Sequence, residues 1–317
     1  MAFLGTVLSP ILGHGTIIAL FGKVTAMAVI TKTTEKYPVR QVVYAATPLL
    51  RAPGELLRSM VCDLAASRHL AYRLLIRSLR SQYRQSVLGY LWVFVAPIAA
   101  TGALLFLNQQ NVLRTIETSM PYGIYIFTGV LLWQIFSESY QRPVRWLQTF
   151  RSVIGRVNFP REALILGALS EVMIQAVIRL IMLFIALLWL GSEIGPTFLL
   201  VPLAICALIG LGLVLGLFLA PIGLLYGDVE RGMNLVMVFW FLITPVVYPA
   251  PTGWPVSLLN QLNPVTPLIV TARELAFGNG LTQLESFFVV SGVVFVALMM
   301  GWGLFRVALP HLIARLP

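Results

Sequence analysis

Carboxylates are scarce in this chain, with twelve Asp and Glu among 317 residues. A membrane-face enzyme acting on a glycan lipid would need acidic catalytic residues gathered at one place, often around a metal. Asp228 and Glu230 form the only close acidic pair, and Asp228 with Arg231 reads more simply as a helix-end interaction. Glu117, Glu193, Glu274 and Glu285 are scattered. Phosphate-loop chemistry requires G-x-x-x-x-G-K-[ST]. The nearest approach is Gly22-Lys23, but Val24 follows it and Ile17 replaces the first glycine. No catalytic residue, cofactor or metal is therefore assigned to the chain, and any ATP it uses must be hydrolysed by a partner. Cys62 and Cys206 have no metal-site spacing and are not expected to form a disulfide.

Aromatic and arginine side chains carry the remaining chemistry. Tyr122, Tyr125, Trp133, Phe136 and Tyr140 fall near one stripe of a helix, Phe239, Trp240, Phe241 and Tyr248 cluster later, and Trp92 and Phe94 stand earlier. Flat rings stack against the apolar C–H faces of sugars while hydroxyls reach polar rims. Rings also grip no single register, which suits a sliding polymer. Interfacial belts and ordinary packing are the competing explanation for each ring alone. Glu171 and Arg179 sit in one apolar run, eight residues or about 12 Å apart along a helix, too far for a direct pair. Arg179 needs a partner on another helix or a second copy, and Glu138 is placed to pair with the arginines after it. Residues 142–162 mix Arg142, Arg145, Arg151, Arg156 and Arg161 with Trp146, Phe150, Val153, Ile154 and Phe159. Such a surface suits docking of a cytosolic protein or rest on lipid, and composition leaves both open.

These groups must be positioned by helices in lipid. Apolar residues make up 58% and charged residues 11%, against about a quarter charged in soluble domains, and mean hydropathy is +0.88. Six runs reach the roughly 20 residues a membrane crossing requires: 87–107, 121–141, 163–190, 197–225, 233–249 and 286–307. The predicted fold is an all-α polytopic membrane protein with six transmembrane helices. A cytoplasmic N-terminus leaves nineteen of the 22 Lys and Arg inside, with only Arg114 and Arg273 outside and Arg179 within the third span. That asymmetry predicts both termini in the cytoplasm, and it accounts for the net charge of +10 without nucleic acid.

Residues 64–86 predict a basic amphipathic helix, with Leu70, Leu74, Leu75 and Leu79 on one side and Arg73, Arg77, Arg80 and Arg84 on the other. It should lie on the anionic cytoplasmic leaflet, or bind a partner protein. Residues 1–62 are read as a cytoplasmic or interfacial extension, because Lys23 interrupts their apolar stretch at a cost that disfavours a seventh span. Between the fifth and sixth runs, Leu258–Phe277 is broken by Asn263-Pro264 and Pro267, which predicts a pair of short re-entrant helices on the outer side. Gly212-x-x-x-Gly216 permits close helix approach, within the subunit in preference to a dimer face.

Several short patterns then occur in order: Arg80-x-x-Tyr83-Arg84-x-Ser86-x-Leu88-Gly89-x-x-Trp92 with Pro97; Phe127-x-Gly129-x-x-x-Trp133-x-x-Phe136; Val157-x-Phe159-Pro160-Arg161-Glu162; Asp228-x-x-Arg231; Pro245-Val246-x-Tyr248-Pro249; and Asn263-Pro264-x-x-Pro267. Over about residues 70–317 the chain resembles type-2 ABC exporter permeases, most closely those that export O-antigen or teichoic-acid chains. The resemblance implies a homodimer in the bacterial inner membrane, with two ATPase subunits that bind ATP and Mg docked beneath it. The substrate it implies is a lipid-linked polysaccharide, O-antigen-like or capsular. Another lipid or a drug is the alternative within transport, and a glycan-lipid enzyme the alternative outside it. It further implies an interface helix carrying Arg77, Arg80, Tyr83 and Arg84. The implied coupling segment carries Arg145, Trp146, Arg151, Val157, Phe159, Pro160, Arg161 and Glu162. A gate or re-entrant element is implied at Asn263, Pro264 and Pro267, and the aromatic set is implied to line the channel.

Overall fold

The computed structural model describes residues 53–83, 87–110, 121–154, 162–189, 195–250, 253–254, 256–278 and 280–313, all within the unit Leu50–Pro317. The described residues are helices and their connections. They form α1 (Pro53–Tyr83), α2 (Trp92–Gln109), α3 (Tyr122–Thr149), α4 (Arg151–Ile154), α5 (Glu162–Trp189), α6 (Val201–Leu225), α7 (Asp228–Ile243), α8 (Val256–Leu262), α9 (Val265–Phe277) and α10 (Leu284–Ile313). Short 3-10 turns, Gly89–Leu91 and Pro196–Leu200, lead into α2 and α6.

Among the described residues, four stretches are long and apolar enough to cross a membrane: Gly89–Gln109, Glu162–Trp189, Pro196–Leu225 and Leu284–Leu309. They correspond to the first, third, fourth and sixth predicted runs. The other two differ for physical reasons visible in the sequence. α3 carries Glu138, Arg142 and Arg145 among its apolar residues, and α7 is only 16 residues long.

α3 sits at the centre. Its longest interface is with α6, and two glycines allow it. A Cβ on Gly212 would lie 2.5 Å from Ser139 Cβ, and one on Gly216 would lie 2.7 Å from the Tyr140 carbonyl oxygen and 2.9 Å from Pro143 Cγ. The glycine pair therefore packs within the subunit, as its spacing predicts. On another side α3 meets α5, where Gly167 lies beneath Trp146 so closely that a Cβ would fall 2.1 Å from the ring. Helix backbones that approach this closely exchange side-chain volume for dispersion contact along the whole seam.

Two corrections to the expected boundaries follow. Residues 142–149 are not a separate loop, because α3 continues through Arg142, Pro143, Arg145 and Trp146 to Thr149. Pro143 does not break the helix, and its ring packs against the space left by Gly216. The N-terminal helix begins at Pro53 and so takes in residues assigned to the extension. It is not simply laid on lipid either: it packs along α5, burying Met60, Ser67, Ala71 and Leu75 while Arg73, Arg77 and Arg80 stay exposed.

Beyond α7 the backbone leaves helical geometry at Thr244 and passes through Pro245–Tyr248 before α8 and α9. Proline at 245 removes a backbone donor and disfavours helix for the residue before it. The expected pair of short helices is present and divides at Asn263-Pro264. α9 is almost entirely buried, whereas α8 exposes Leu258, Leu259 and Leu262. Gly278, with φ of 70°, ends α9 in the left-handed conformation, which glycine adopts without strain.

Candidate functional site

Four groups of side chains converge on α3. The first is a cluster of charges between α3 and α5. Arg179 places its two terminal nitrogens on Glu138 at 3.1 and 2.5 Å and its Nε on Gln134 Oε1 at 3.3 Å. Arg142 lies 3.8 Å from Glu138 and donates a close hydrogen bond to Glu171. Glu171 is 1% exposed and also accepts from Trp146 Nε1 at 2.6 Å and, on α1, from Ser78 Oγ at 3.4 Å. The partner that Arg179 requires is thus on another helix of the same subunit, while Glu171 and Arg179 do not meet. Two guanidinium groups face two carboxylates, so the cluster is neutral. A buried charge is tolerated only when paired and hydrogen-bonded.

A second group holds the segment after α7. Arg273, on α9, donates to the carbonyls of Pro245 and Val246 at 3.3 and 2.8 Å, and its guanidinium carbon stands 3.7 Å from the centre of the Tyr125 ring. Burial lowers its pKa to about 10, so it remains charged at neutral pH. Tyr122 and Tyr125 donate to the carbonyls of Val247 and Tyr248 at 3.2 and 3.0 Å. These donors satisfy carbonyls that a non-helical segment leaves without ladder partners. Asn263 completes the arrangement. Its Oδ1 accepts from Trp240 Nε1 at 2.9 Å and from the Val265 amide at 3.1 Å, and its Nδ2 donates to Thr244 Oγ1 at 2.8 Å. Pro264 is the N-cap of α9 and Pro267 is buried in its first turn.

The third group is the aromatic set. Trp133 packs against Phe136 and Phe241 with ring centres 5.3 and 5.5 Å apart, and Phe136 meets Trp240 at 5.4 Å. The stripe on α3 and the cluster on α7 are therefore brought together. Exposure divides them. Tyr125, Trp133, Phe136 and Tyr140 are buried inside the subunit, with Tyr140 donating to Asn234 Oδ1 at 2.8 Å. Tyr122, Trp240, Phe241 and Tyr248 are half-buried. Trp92, Phe94 and Phe239 are exposed.

Last come the cytoplasmic candidates. Arg145 pairs with Glu230 at 2.8 Å, joining the end of α3 to the start of α7. Trp146 is 2% exposed and packs 5.2 Å from Phe150, so it anchors the helix inside the subunit and presents no docking surface. Arg151 is exposed. Glu162 is buried and pairs with Arg306 at 3.1 Å; Arg306 also reaches Asp63 at 2.5 Å and so joins α1, α5 and α10. On α1, Arg77 and Arg80 are exposed and Tyr83 is the final helical residue. Arg84, Val157, Phe159, Pro160 and Arg161 lie outside the described residues.

Sequence reasoning missed Gln134, Asn234, Arg306 and the buried role of Arg273, which it placed among the outside charges. For Arg306 and Arg273 no local spacing could reveal their partners. Gln134 gave a usable signal, as a polar residue in an apolar run one helical turn before Glu138.

Comparison with known proteins agrees with this architecture. Residues 69–277, well over half the chain, match the family described as ABC-2 type transporter. An O-antigen export system permease protein RfbA of Myxococcus xanthus is 28% identical over 258 residues, covering 78% of this chain and 95% of its own. A protein of the same name from Klebsiella pneumoniae is 24% identical, covering 73% and 88%. The polysialic acid transport protein KpsM of Escherichia coli is 22% identical, covering 74% and 91%. The chain belongs to the ABC-2 type transporter family.

Proposed function

We propose that the chain is the membrane-spanning permease subunit of an ATP-driven exporter, and that it moves a lipid-linked polysaccharide across the bacterial inner membrane. The observation that carries this reading is the family match over 69–277 together with near-full-length similarity to permeases named for O-antigen and polysialic acid. In this reading α3 and α7 join the four apolar helices as spans two and five. Their charged and short character then belongs to helices that line or approach a polar path rather than face lipid. Both termini are cytoplasmic. Two copies pair, two ATPase subunits dock beneath them, and those subunits bind ATP and Mg.

The exposed rings Trp92, Phe94 and Phe239, backed by Trp240 and Phe241, form the surface along which sugars slide, with Tyr122 and Tyr248 toward the outer end. Closure of the ATPase dimer pushes on residues 142–162 and on the exposed arginines of α1. Because α3 runs unbroken into this region, displacement there is delivered directly to the aromatic and ionic groups on the same helix. Asn263, Pro264 and Pro267 hold the outer gate.

Deleting the gene in a cell that makes the glycan tests this. Lipid-linked polysaccharide should accumulate in the cytoplasm, and the intact chain together with its ATPase should restore surface glycan. Continued surface display without the chain would reject the assignment. Replacing Phe159 and Arg161 should abolish export while the ATPase retains its basal turnover; unchanged export would reject the coupling role.

A further inference from the structure

An open cleft of about 550 Å³ with a mixed polar and apolar lining lies among α1, α2, α3 and α5, lined by Gln82, Trp92, Trp133, Gln134, Glu138 and Gln141 among others. That volume is in the range of small-molecule sites. Its lining is unusual for helices this apolar, since side-chain amides and a carboxylate stand beside two indole rings. We propose that the cleft binds a neutral sugar unit of the exported chain, an inference that rests on the export reading above.

The polar groups are arranged for hydroxyls. Arg179 takes the carbonyl oxygen of Gln134, which turns the amide nitrogen of Gln134 into an available donor. Gln141 Nε2 donates to Ser137 Oγ at 3.2 Å, leaving Gln141 Oε1 to accept and the Ser137 hydroxyl to donate. Glu138 remains a quarter exposed after pairing with Arg179, so its carboxylate can accept a further O–H. Trp92 is exposed and supplies an open indole face, while Trp133, largely buried, contributes only its edge to the lining. Donors, acceptors and flat apolar faces are the three features a pyranose ring presents in complement.

Charge selects against the alternatives. Both arginines at the cleft are committed, Arg179 to Glu138 and Arg142 to Glu171. A phosphate or a sugar carboxylate would meet the Glu138 oxygens without a free cation, and drawing off Arg142 would leave the buried Glu171 carboxylate without its cation. The site thus fits an uncharged hexose better than a pyrophosphate headgroup or a polyanionic glycan.

The test uses cells in which surface glycan depends on this chain and its ATPase. Gln82, an exposed residue of the cleft lining, is replaced by a photo-crosslinking phenylalanine analogue. Ultraviolet light should yield a high-mass adduct that stains for carbohydrate after periodate oxidation. Adding Gln134→Leu should lower the yield about fivefold, the loss of roughly one neutral hydrogen bond, at unchanged protein level. If surface glycan depends on the chain but the adduct carries phospholipid or protein and no sugar, the cleft assignment is overturned and export stands. An adduct that survives Gln134→Leu undiminished also overturns it. If surface glycan does not depend on the chain at all, the export reading itself has failed.

Discussion

Glu171 of α5 and Arg142 of α3 are 29 residues apart in sequence and hydrogen-bonded in the interior of the bundle. Neither has water to fall back on, since Glu171 is 1% and Arg142 8% exposed. Trp146 and Ser78 supply the carboxylate's remaining donors. One carboxylate therefore fastens three helices, and this bundle depends locally on an ion pair rather than on apolar packing alone.

Removing one member should be costly. Glu171→Leu is expected to destabilise the purified subunit by about 3–5 kcal/mol, the usual result of stranding a buried partner charge. The double variant Glu171→Leu with Arg142→Met should recover most of that loss. Thermal unfolding in detergent or nanodiscs reads both, and equal damage from the single and double variants would count against the pairing.

At Gly129 the segment after α7 comes within reach of the α3 backbone. A Cβ there would sit 2.2 Å from the Val246 carbonyl oxygen and 2.4 Å from an Arg273 nitrogen. Gly129→Ala should cost about 1–3 kcal/mol by overpacking and should reduce export of surface glycan. Gly232→Ala, where nothing lies within 4 Å, should leave both intact.

Asn263 serves three partners through two side-chain atoms. Asn263→Leu should leave Trp240 Nε1 and the Val265 amide without their acceptor, with a penalty of about 1–3 kcal/mol for each buried group left unmade. We expect impaired export together with changed Trp fluorescence. Wild-type export from Asn263→Leu would remove this residue from the gate.

For the Arg145–Glu230 pair the expectation is the opposite balance. Arg145 is 46% exposed, so Arg145→Ala should change stability by less than about 1 kcal/mol. Export should nonetheless fall, because the pair joins the C-terminal end of α3 to α7. A variant with normal export and ATPase stimulation would show that motion reaches α7 by another route.

Sidedness is open to direct labelling. A cysteine at Arg151, in a background lacking Cys62 and Cys206, should react with a membrane-impermeant maleimide only after the inner membrane is opened. Labelling in intact spheroplasts would invert the topology and remove the docking role from this region.

Much of this arrangement could be read from residue order. Four of the six apolar runs, the glycine pair on α6 and the break at Asn263-Pro264 are all local signals, and each appears in the fold. Helix length at the α3 end was less legible. The drop in hydropathy at Arg142 suggested a loop, yet hydropathy reports solvent preference and not helical continuity, and α6 supplied a groove for Pro143. Trp146 has the same limit: an aromatic among arginines suits docking or lipid contact equally by composition, the resemblance alone implies coupling, and only the fold shows Glu171 and Gly167 enclosing it. Arg273, counted as an outside charge, shows the complementary limit. Its partners are two carbonyls and a ring, none of which is marked by charge in the sequence.

The seam between α3 and α6, closed by Gly212 and Gly216, also says where movement has to happen. Backbones set that near each other leave no slack for sliding, so the two helices turn together like the jaw and hinge-pin of one tool. Fewer packing constraints fall on α2 and α7, which leave Phe94, Ile98, Leu235, Val238 and Phe239 exposed along their length. A widening passage would thus be drawn open at these less enclosed staves while its spine keeps its shape.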